Sequence, residues 1–293
     1  MAAGPDSPAI VAPRTPLVGR AADVAAVSRW LDEGERLVAI TGPVGIGKTR
    51  VAQEVALVAD VTSSVAWVDA AGALDEASLV DALLRSLGAA EDVAGPADPI
   101  GRAGRALAAR GDLLLVLDGL DALAARAAPV IDAWLRAAPE LLVLVASRER
   151  TRLPGEIVHE LGPLPEADAL FTSFAQRTRA GFQPSEADRE AITAIARELD
   201  GVPLAIELAA QRLSVMGPRA ILHRLRSNAP GAAGLDRALE GAWVALDEAE
   251  QRALAALTVF HGGFTLEAAE VVIGAGARPA IEVVAALRDK SAL

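Results

Sequence analysis

Residues Gly42, Pro43, Val44, Gly45, Ile46, Gly47, Lys48 and Thr49 follow the spacing G-x-x-x-x-G-K-[ST]. In that pattern a glycine-rich turn wraps a phosphate, and the lysine and hydroxyl that follow reach its charge and its metal. The surroundings suit such a loop: an apolar run at 36–41 precedes it, and a helical pattern begins near Lys48. Gly42, Gly45 and Gly47 let the backbone close around an anion and turn N–H groups toward it. The positive end of the following helix adds to the attraction. On this reading Lys48 reaches the β- and γ-phosphates, and the Thr49 hydroxyl ligates Mg2+. The chain has only two lysines, Lys48 and Lys290, among 28 Lys+Arg. One of them stands where phosphate chemistry asks for a compact ammonium on a flexible stem.

Two further segments end in groups that suit the same chemistry. In LLLVLDGLD (113–121) five apolar residues run into Asp118, a carboxylate at the C-terminal edge of a buried strand, where ligands of open α/β sheets bind. Asp118 is the expected Mg2+ anchor, and Asp121 the candidate to polarise an attacking water. A turn opened by Asp118 and a helix capped by Asp121 are the structural alternatives. In LLVLVASRER (141–150) Ser147 and Arg148 emerge from another apolar strand, and an arginine there can sense a γ-phosphate through a bidentate contact. Arg150 and Arg152 are expected in solvent.

These groups need elements to hold them. Apolar runs at 36–41, 64–69, 113–118, 141–147 and 156–161 alternate with helical stretches. Runs that are apolar on both sides of the pleat predict a mostly parallel sheet covered on both faces, ending near 161. Beyond it the strand signals stop. Amphipathic helices are predicted at 167–180, 185–200, 202–217 and 219–227, broken at Gly and Pro. The Gly/Pro/Ala-rich stretch 228–234 reads as a linker, and helices follow at 246–260, 265–274 and 278–293. Short helices need something to pack against, so a last group that ends on its third helix reads as the start of a domain, and the chain as a fragment.

Composition bounds the function. The chain has 293 residues, a net charge of -11 and no cysteine. Thiol chemistry, disulfides and thiolate metal sites are excluded, and the acidic balance argues against bulk attraction to nucleic acid or anionic lipid. The longest apolar runs are far shorter than the roughly 20 residues that cross a bilayer. The Pro/Ala-rich start lacks a secretory pattern, so a cytoplasmic, membrane-free protein is expected. His159, His223 and His261 are scattered and make no metal site.

Taken in order, the segments resemble the signal-transduction ATPases with numerous domains (the STAND class, including NB-ARC switches), and among them bacterial regulators of the AfsR and LuxR-like type. TPLVGRAADVAAVSRWL (15–31) resembles the family's N-terminal motif, GPVGIGKTR its phosphate loop, LLLVLDGLD its Walker B segment and LVLVASRER its arginine-bearing sensor. HELGPLPEADALFTSFAQR (159–177) resembles the entry to its helical lid, and GVPLAIELAA (201–210) its glycine-x-proline segment. Residues 243–293 resemble the first helices of its winged-helix domain.

The resemblance implies a P-loop α/β fold with four parts: a flexible lead at 1–16, a nucleotide-binding domain at 17–161, a helical lid at 162–232 and a partial winged-helix domain at 233–293. It implies ATP or ADP with Mg2+, bound by the loop residues through Arg50, by Thr49 and Asp118 at the metal, by Val18, Gly19 and Arg20 near adenine and ribose, and by Pro203 on the adenine. It further implies a switch, off with ADP and on with ATP–Mg2+, with slow hydrolysis involving Asp118, Asp121 and Arg148. Sensor repeats, an effector domain and ATP-dependent self-association are the implied partners, without direct nucleic-acid contact by this segment. An AAA-type remodelling ATPase and a non-catalytic nucleotide-dependent scaffold are the rival readings. Two departures stand out. The acidic pair of many relatives is Asp118-Gly119 here, and the family's β-wing, with its phosphate-gripping histidine, is not reached.

Overall fold

The computed structural model describes residues 13, 15–59, 64–88, 98–227, 243, 246–260, 264–274 and 278–289. The described residues of its first unit, 1–164, form five strands: β1 (Leu37–Thr41), β2 (Ser64–Asp69), β3 (Leu113–Asp118), β4 (Leu141–Ala146) and β5 (Ile157–Glu160). All pairings are parallel, in the order β2-β3-β4-β1-β5. Every residue of β1 and the first five of β3 are buried, as expected of strands covered on both faces.

Among the described residues the cover comes from α1 (Ala21–Asp32), α2 (Lys48–Val58), α3 (Glu76–Ser86), α4 (Pro99–Ala108) and α5 (Ala124–Ala137). Leu113, Leu115 and Leu117 of β3 share a core with Leu83, Leu107 and Trp134 from α3, α4 and α5. The alternate residues Leu114 and Val116 are equally buried, on the side where α2 packs against β1, β3 and β4. The period of two along a strand thus feeds two helix layers.

The sheet order decides what can meet. β4 lies between β1 and β3, so Ile40 and Asp118 both register with Ala146. The residues that follow β4 therefore leave the sheet between the phosphate loop after β1 and the end of β3.

α5 begins at Ala124 and carries Pro129 inside it, although proline is usually found in the first turn of a helix. Buried Leu123, Ala124 and Ala127 extend its apolar stripe toward the N-terminus, offsetting the backbone hydrogen bond that proline cannot make.

The second unit, 165–293, is helical in its described residues. α6 (Ala167–Thr178), α7 (Glu186–Glu198), α8 (Pro203–Gln211) and α9 (Pro218–Ser227) pack as α6 on α7 and α8, and α7 on α9. α7 is opened by a capping box of Ser185 and Asp188, which satisfies donors at the helix start. The segment predicted as one helix to 217 ends at Gln211 and tightens into a 3-10 turn, Arg212–Ser214. α10 (Glu248–Leu257), α11 (Leu266–Ile273) and α12 (Ala280–Asp289) surround a small core of Leu246, Ala253, Leu257, Ala269, Val283 and Leu287. The stretch 228–234, His261, Lys290 and almost all of the lead 1–16 lie outside the described residues. No helix among the described residues is long and apolar enough to cross a membrane.

Candidate functional site

The phosphate loop runs from the end of β1 into α2, and its shape follows from two anchors. Ile46 is buried at 1% exposure, while Pro43 and Val44 stay exposed. At Gly42, φ is +146°, and a Cβ would stand 3.0 Å from both Ile46 Cγ2 and the Leu161 carbonyl oxygen. Only glycine fits the backbone at that crossing. Gly45 and Gly47 also hold positive φ, and Gly47 caps α2 in the left-handed region.

Lys48 and Thr49 occupy the first turn of α2. The Lys48 ammonium donates to the carbonyls of Gly42 and Pro43, each at 3.0 Å, so the cation is held across the mouth of its own loop. Burial pushes its pKa below the usual lysine value, opposed by the nearby charges of Asp121 and Asp118 and reinforced by Arg148. The Thr49 hydroxyl donates to Asp118 Oδ1 at 2.8 Å, joining groups 69 residues apart. Burial raises the Asp118 pKa; the Thr49 hydrogen bond opposes this, and the Asp69 carboxylate adds to it. A hydroxyl and a carboxylate oxygen side by side are donors of the kind that Mg2+ accepts.

Arg148 and Asp121 meet at the tip of β4. The Arg148 backbone N–H donates to Asp121 Oδ1 at 2.5 Å, and its guanidinium Nε lies 3.1 Å from Asp121 Oδ2. Asp121 sits in the 3-10 turn Leu120–Ala122, and the next helix is capped by Leu123, without a side-chain cap. Its carboxylate is therefore committed to Arg148. Ser147, fully buried, accepts the Glu149 N–H and donates to the Glu149 carbonyl, shaping the turn that carries Arg148. Arg150 and Arg152 are exposed.

Gly119 has a structural cause. Its φ is +75°, and a Cβ there would meet Ala71 Cβ at 2.9 Å and Ala71 N at 3.1 Å. The loop after β2 is pressed against it, with the Ala70 N–H bonded to the Asp118 carbonyl at 2.7 Å. Any side chain at this position, a carboxylate included, would have to displace the loop that carries Ala71.

The remaining expected site residues are held otherwise. Arg20, 4% exposed, donates from Nη2 to the Ile46 carbonyl at 3.1 Å and to the Gly162 carbonyl at 2.7 Å. Its Nη1 faces Asp23 Oδ2 at 3.3 Å. The Arg50 guanidinium donates to the Thr15 carbonyl at 2.6 Å and pairs with Glu54. Val18 and Gly19 lead into α1, half-buried, and Pro203 opens α8 in the second unit. Sequence reasoning passed over Asp69, which registers with Asp118 across β2 and β3. Its signal was present: SVAWVD ends in a carboxylate as LLLVLD does. It also gave no role to Asp23 and His159, which lie 2.8 Å apart across 136 residues of sequence. No local pattern announces that pair.

Comparison with known proteins bears on the family and the fold. A family model described as an AAA domain matches residues 31–154, which hold the loop, Asp118, Asp121 and Arg148. The uncharacterized protein Rv0894 of Mycobacterium tuberculosis is 34% identical over 277 residues, covering 88% of this chain and 69% of that protein. Rv0890c of the same organism, named as an HTH-type transcriptional regulator, is 32% identical over 251 residues, covering 81% of this chain but 28% of its own length. Among solved structures, the STAND protein PH0952 from Pyrococcus horikoshii, which has a tetratricopeptide repeat sensor, shares the fold. Its TM-score is 0.60 at 17% identity, over 96% of this chain and 40% of that one. At 34% identity over most of both chains, this chain belongs to the same family as Rv0894, and its residues 31–154 form a P-loop segment that matches the AAA domain model.

Proposed function

We propose that the chain is the nucleotide switch of a signalling or transcriptional regulator, holding ADP when off and ATP with Mg2+ when on, and hydrolysing ATP slowly. The observation that carries this reading is the hydrogen bond from Thr49 to Asp118 at 2.8 Å, with Lys48 one residue before Thr49. A phosphate-binding lysine and two oxygen donors suited to a divalent cation share one sheet edge. When bound, Mg2+ supplies positive charge to the β- and γ-phosphate oxygens; Thr49 and Asp118 are the residues that would hold it.

The loop's backbone N–H groups and Lys48 bind the diphosphate that both nucleotides share. Distinguishing them falls to Arg148, whose exposed guanidinium pairs with Asp121. Reaching a γ-phosphate takes that guanidinium off Asp121 and frees the carboxylate to orient water. The switch requires the two nucleotides to favour different arrangements, since equal affinity shifts nothing. In this reading the second unit supplies a helical lid, with Pro203 against the adenine, and the first helices of a winged-helix domain. The parts divide at 17–161, 162–232 and 233–293, and the setting is cytoplasmic. The name of Rv0890c, an HTH-type transcriptional regulator matched over 28% of its length, supports a place beside an effector domain; sensor repeats and self-association on ATP complete the proposal.

The test is to denature the purified protein and identify released nucleotide by chromatography. ADP is expected. A protein that releases none and binds none on titration contradicts the reading, and fast turnover stimulated by a macromolecular substrate supports a remodelling ATPase in its place.

A further inference from the structure

Arg20 is among the few charged side chains in the buried interior, and its contacts are with the protein rather than with solvent. One nitrogen, Nη2, donates to two carbonyls: that of Ile46 inside the phosphate loop and that of Gly162 just beyond β5. The partners lie 26 and 142 residues away in sequence, so the guanidinium ties the loop to the segment leaving β5, the edge strand beside β1. Ile46 is the residue whose buried side chain already anchors the loop, and its carbonyl lies one residue before Gly47, the cap of α2.

The arginine is itself held. Its Nη1 faces Asp23 Oδ2 at 3.3 Å, and the other oxygen of Asp23 lies 2.8 Å from His159 Nε2. The carboxylate can only accept when ionised, so the imidazole donates. His159 belongs to β5 and its ring meets Trp30 of α1 edge-on, with centroids 5.6 Å apart. The side chains of Asp23 and His159 are 21% and 17% exposed. A connected path therefore runs from β5 through Asp23 on α1 to Arg20 and on to the loop carbonyl. Charged donors and acceptors in a partly buried chain make stronger hydrogen bonds than neutral ones and hold their geometry.

We propose that Arg20 is a positioning residue that fixes the phosphate loop through the Ile46 carbonyl, and that the Asp23–His159 pair holds Arg20 in place for that task. Arg20 then acts on nucleotide through the loop and makes no contact with base or ribose. This deepens the switch reading and rests on it for the nucleotide arm alone, because a tethered loop is a property of the free protein.

The experiment is hydrogen exchange of the loop amides 44–47 in nucleotide-free protein, with the amides of β3 as a control for folding. Arg20→Gln removes the charge and one arm of the fork, and Asp23→Asn removes the charge that holds the arginine and turns one of the two acceptors, which face Arg20 and His159, into a donor. In Arg20→Gln, loop exchange is expected to quicken by about tenfold or more, the scale of a lost charged hydrogen bond; a smaller increase is expected in Asp23→Asn. Exchange in β3 should stay as in the parent protein. If Arg20→Gln fails to keep β3 protected, Asp23→Asn decides. Unchanged loop exchange in a folded variant overturns the proposal. ADP titration of the same variants separates the two claims. Quickened exchange together with weakened ADP binding supports loop positioning. Weakened ADP binding with unchanged exchange means that Arg20 touches the nucleotide, and overturns it. If the parent protein binds no ADP, the switch reading fails while the exchange arm still decides whether Arg20 holds the loop.

Discussion

Arg148 grips Asp121 twice, through its backbone N–H at 2.5 Å and its guanidinium at 3.1 Å. The two residues lie 27 apart in sequence, and β4 brings them together because it lies between β1 and β3 in the sheet. A carboxylate engaged in this way is oriented but not free. The same ion pair therefore places the water-orienting candidate and keeps it occupied until a γ-phosphate competes for the arginine.

Arg148→Ala should leave ADP affinity near that of the parent protein and weaken ATP binding by about ten- to a hundredfold, the scale of a charged hydrogen bond. Equal losses for both nucleotides would deny it γ-phosphate sensing. Asp121→Asn should slow single-turnover hydrolysis by about a hundredfold, within the range of general-base contributions, without changing ADP affinity. An unchanged rate would leave Asp121 only the structural task of holding the β4 turn.

Gly119→Ala tests the packing that stands against a second carboxylate. The new methyl would meet Ala71, its Cβ at 2.9 Å, at a backbone angle that disfavours side chains. A loss of about 1–3 kcal/mol in unfolding free energy is expected, as for overpacking against backbone. Chemical denaturation measures it, and a neutral result would mean that the loop after β2 yields freely.

Ionisation of the site costs stability, and its sign can be read at both ends of the pH scale. Burial raises the Asp118 pKa above its usual value of 3.8. Between 3.8 and the raised value the folded state binds more protons than the unfolded one, so this group's contribution declines as pH rises through that window. At neutral pH the whole cost is present. Asp118→Asn should therefore raise the melting temperature of the nucleotide-free protein slightly, on the order of 1–3 °C, while abolishing the gain in ATP affinity that Mg2+ produces.

Lys48 gives the opposite limb. Its pKa lies below 10.5 because burial outweighs the attraction of Asp121 and Asp118. Nucleotide binding, which needs the ammonium, should weaken as pH rises through the lowered value, before 10.5 is reached. Proton uptake should accompany ADP binding in that window, because phosphate favours the charged lysine. Calorimetry in buffers of different ionisation enthalpy measures this uptake, and its absence across that window would place Lys48 away from the bound phosphate.

Much of the sheet was legible in the chain because each strand is a short apolar run ended by a polar residue. β2 and β3 begin and end where their runs do, and the loop after β1 carries its pattern in eight consecutive residues. The order of strands was not legible, since period and propensity describe each element alone while pairing is settled by packing. That gap explains the surprises at the site. The resemblance put Arg20 and Arg50 among the nucleotide-binding residues, and no linear pattern announced that their guanidinium groups bond to the carbonyls of Ile46, Gly162 and Thr15. Gly119 looks like a missing acid, and only the approach of Ala71 explains it. Asp121 looked able to cap a helix, and it faces a strand tip instead.

The most direct test of the central claim is titration of nucleotide-free protein with ADP, beside Lys48→Ala. Saturable one-to-one binding is expected of the parent protein, with a loss of about ten- to a hundredfold in the variant, as charged hydrogen bonds to phosphate disappear. Equal affinity in both proteins, or no binding by either, would contradict it.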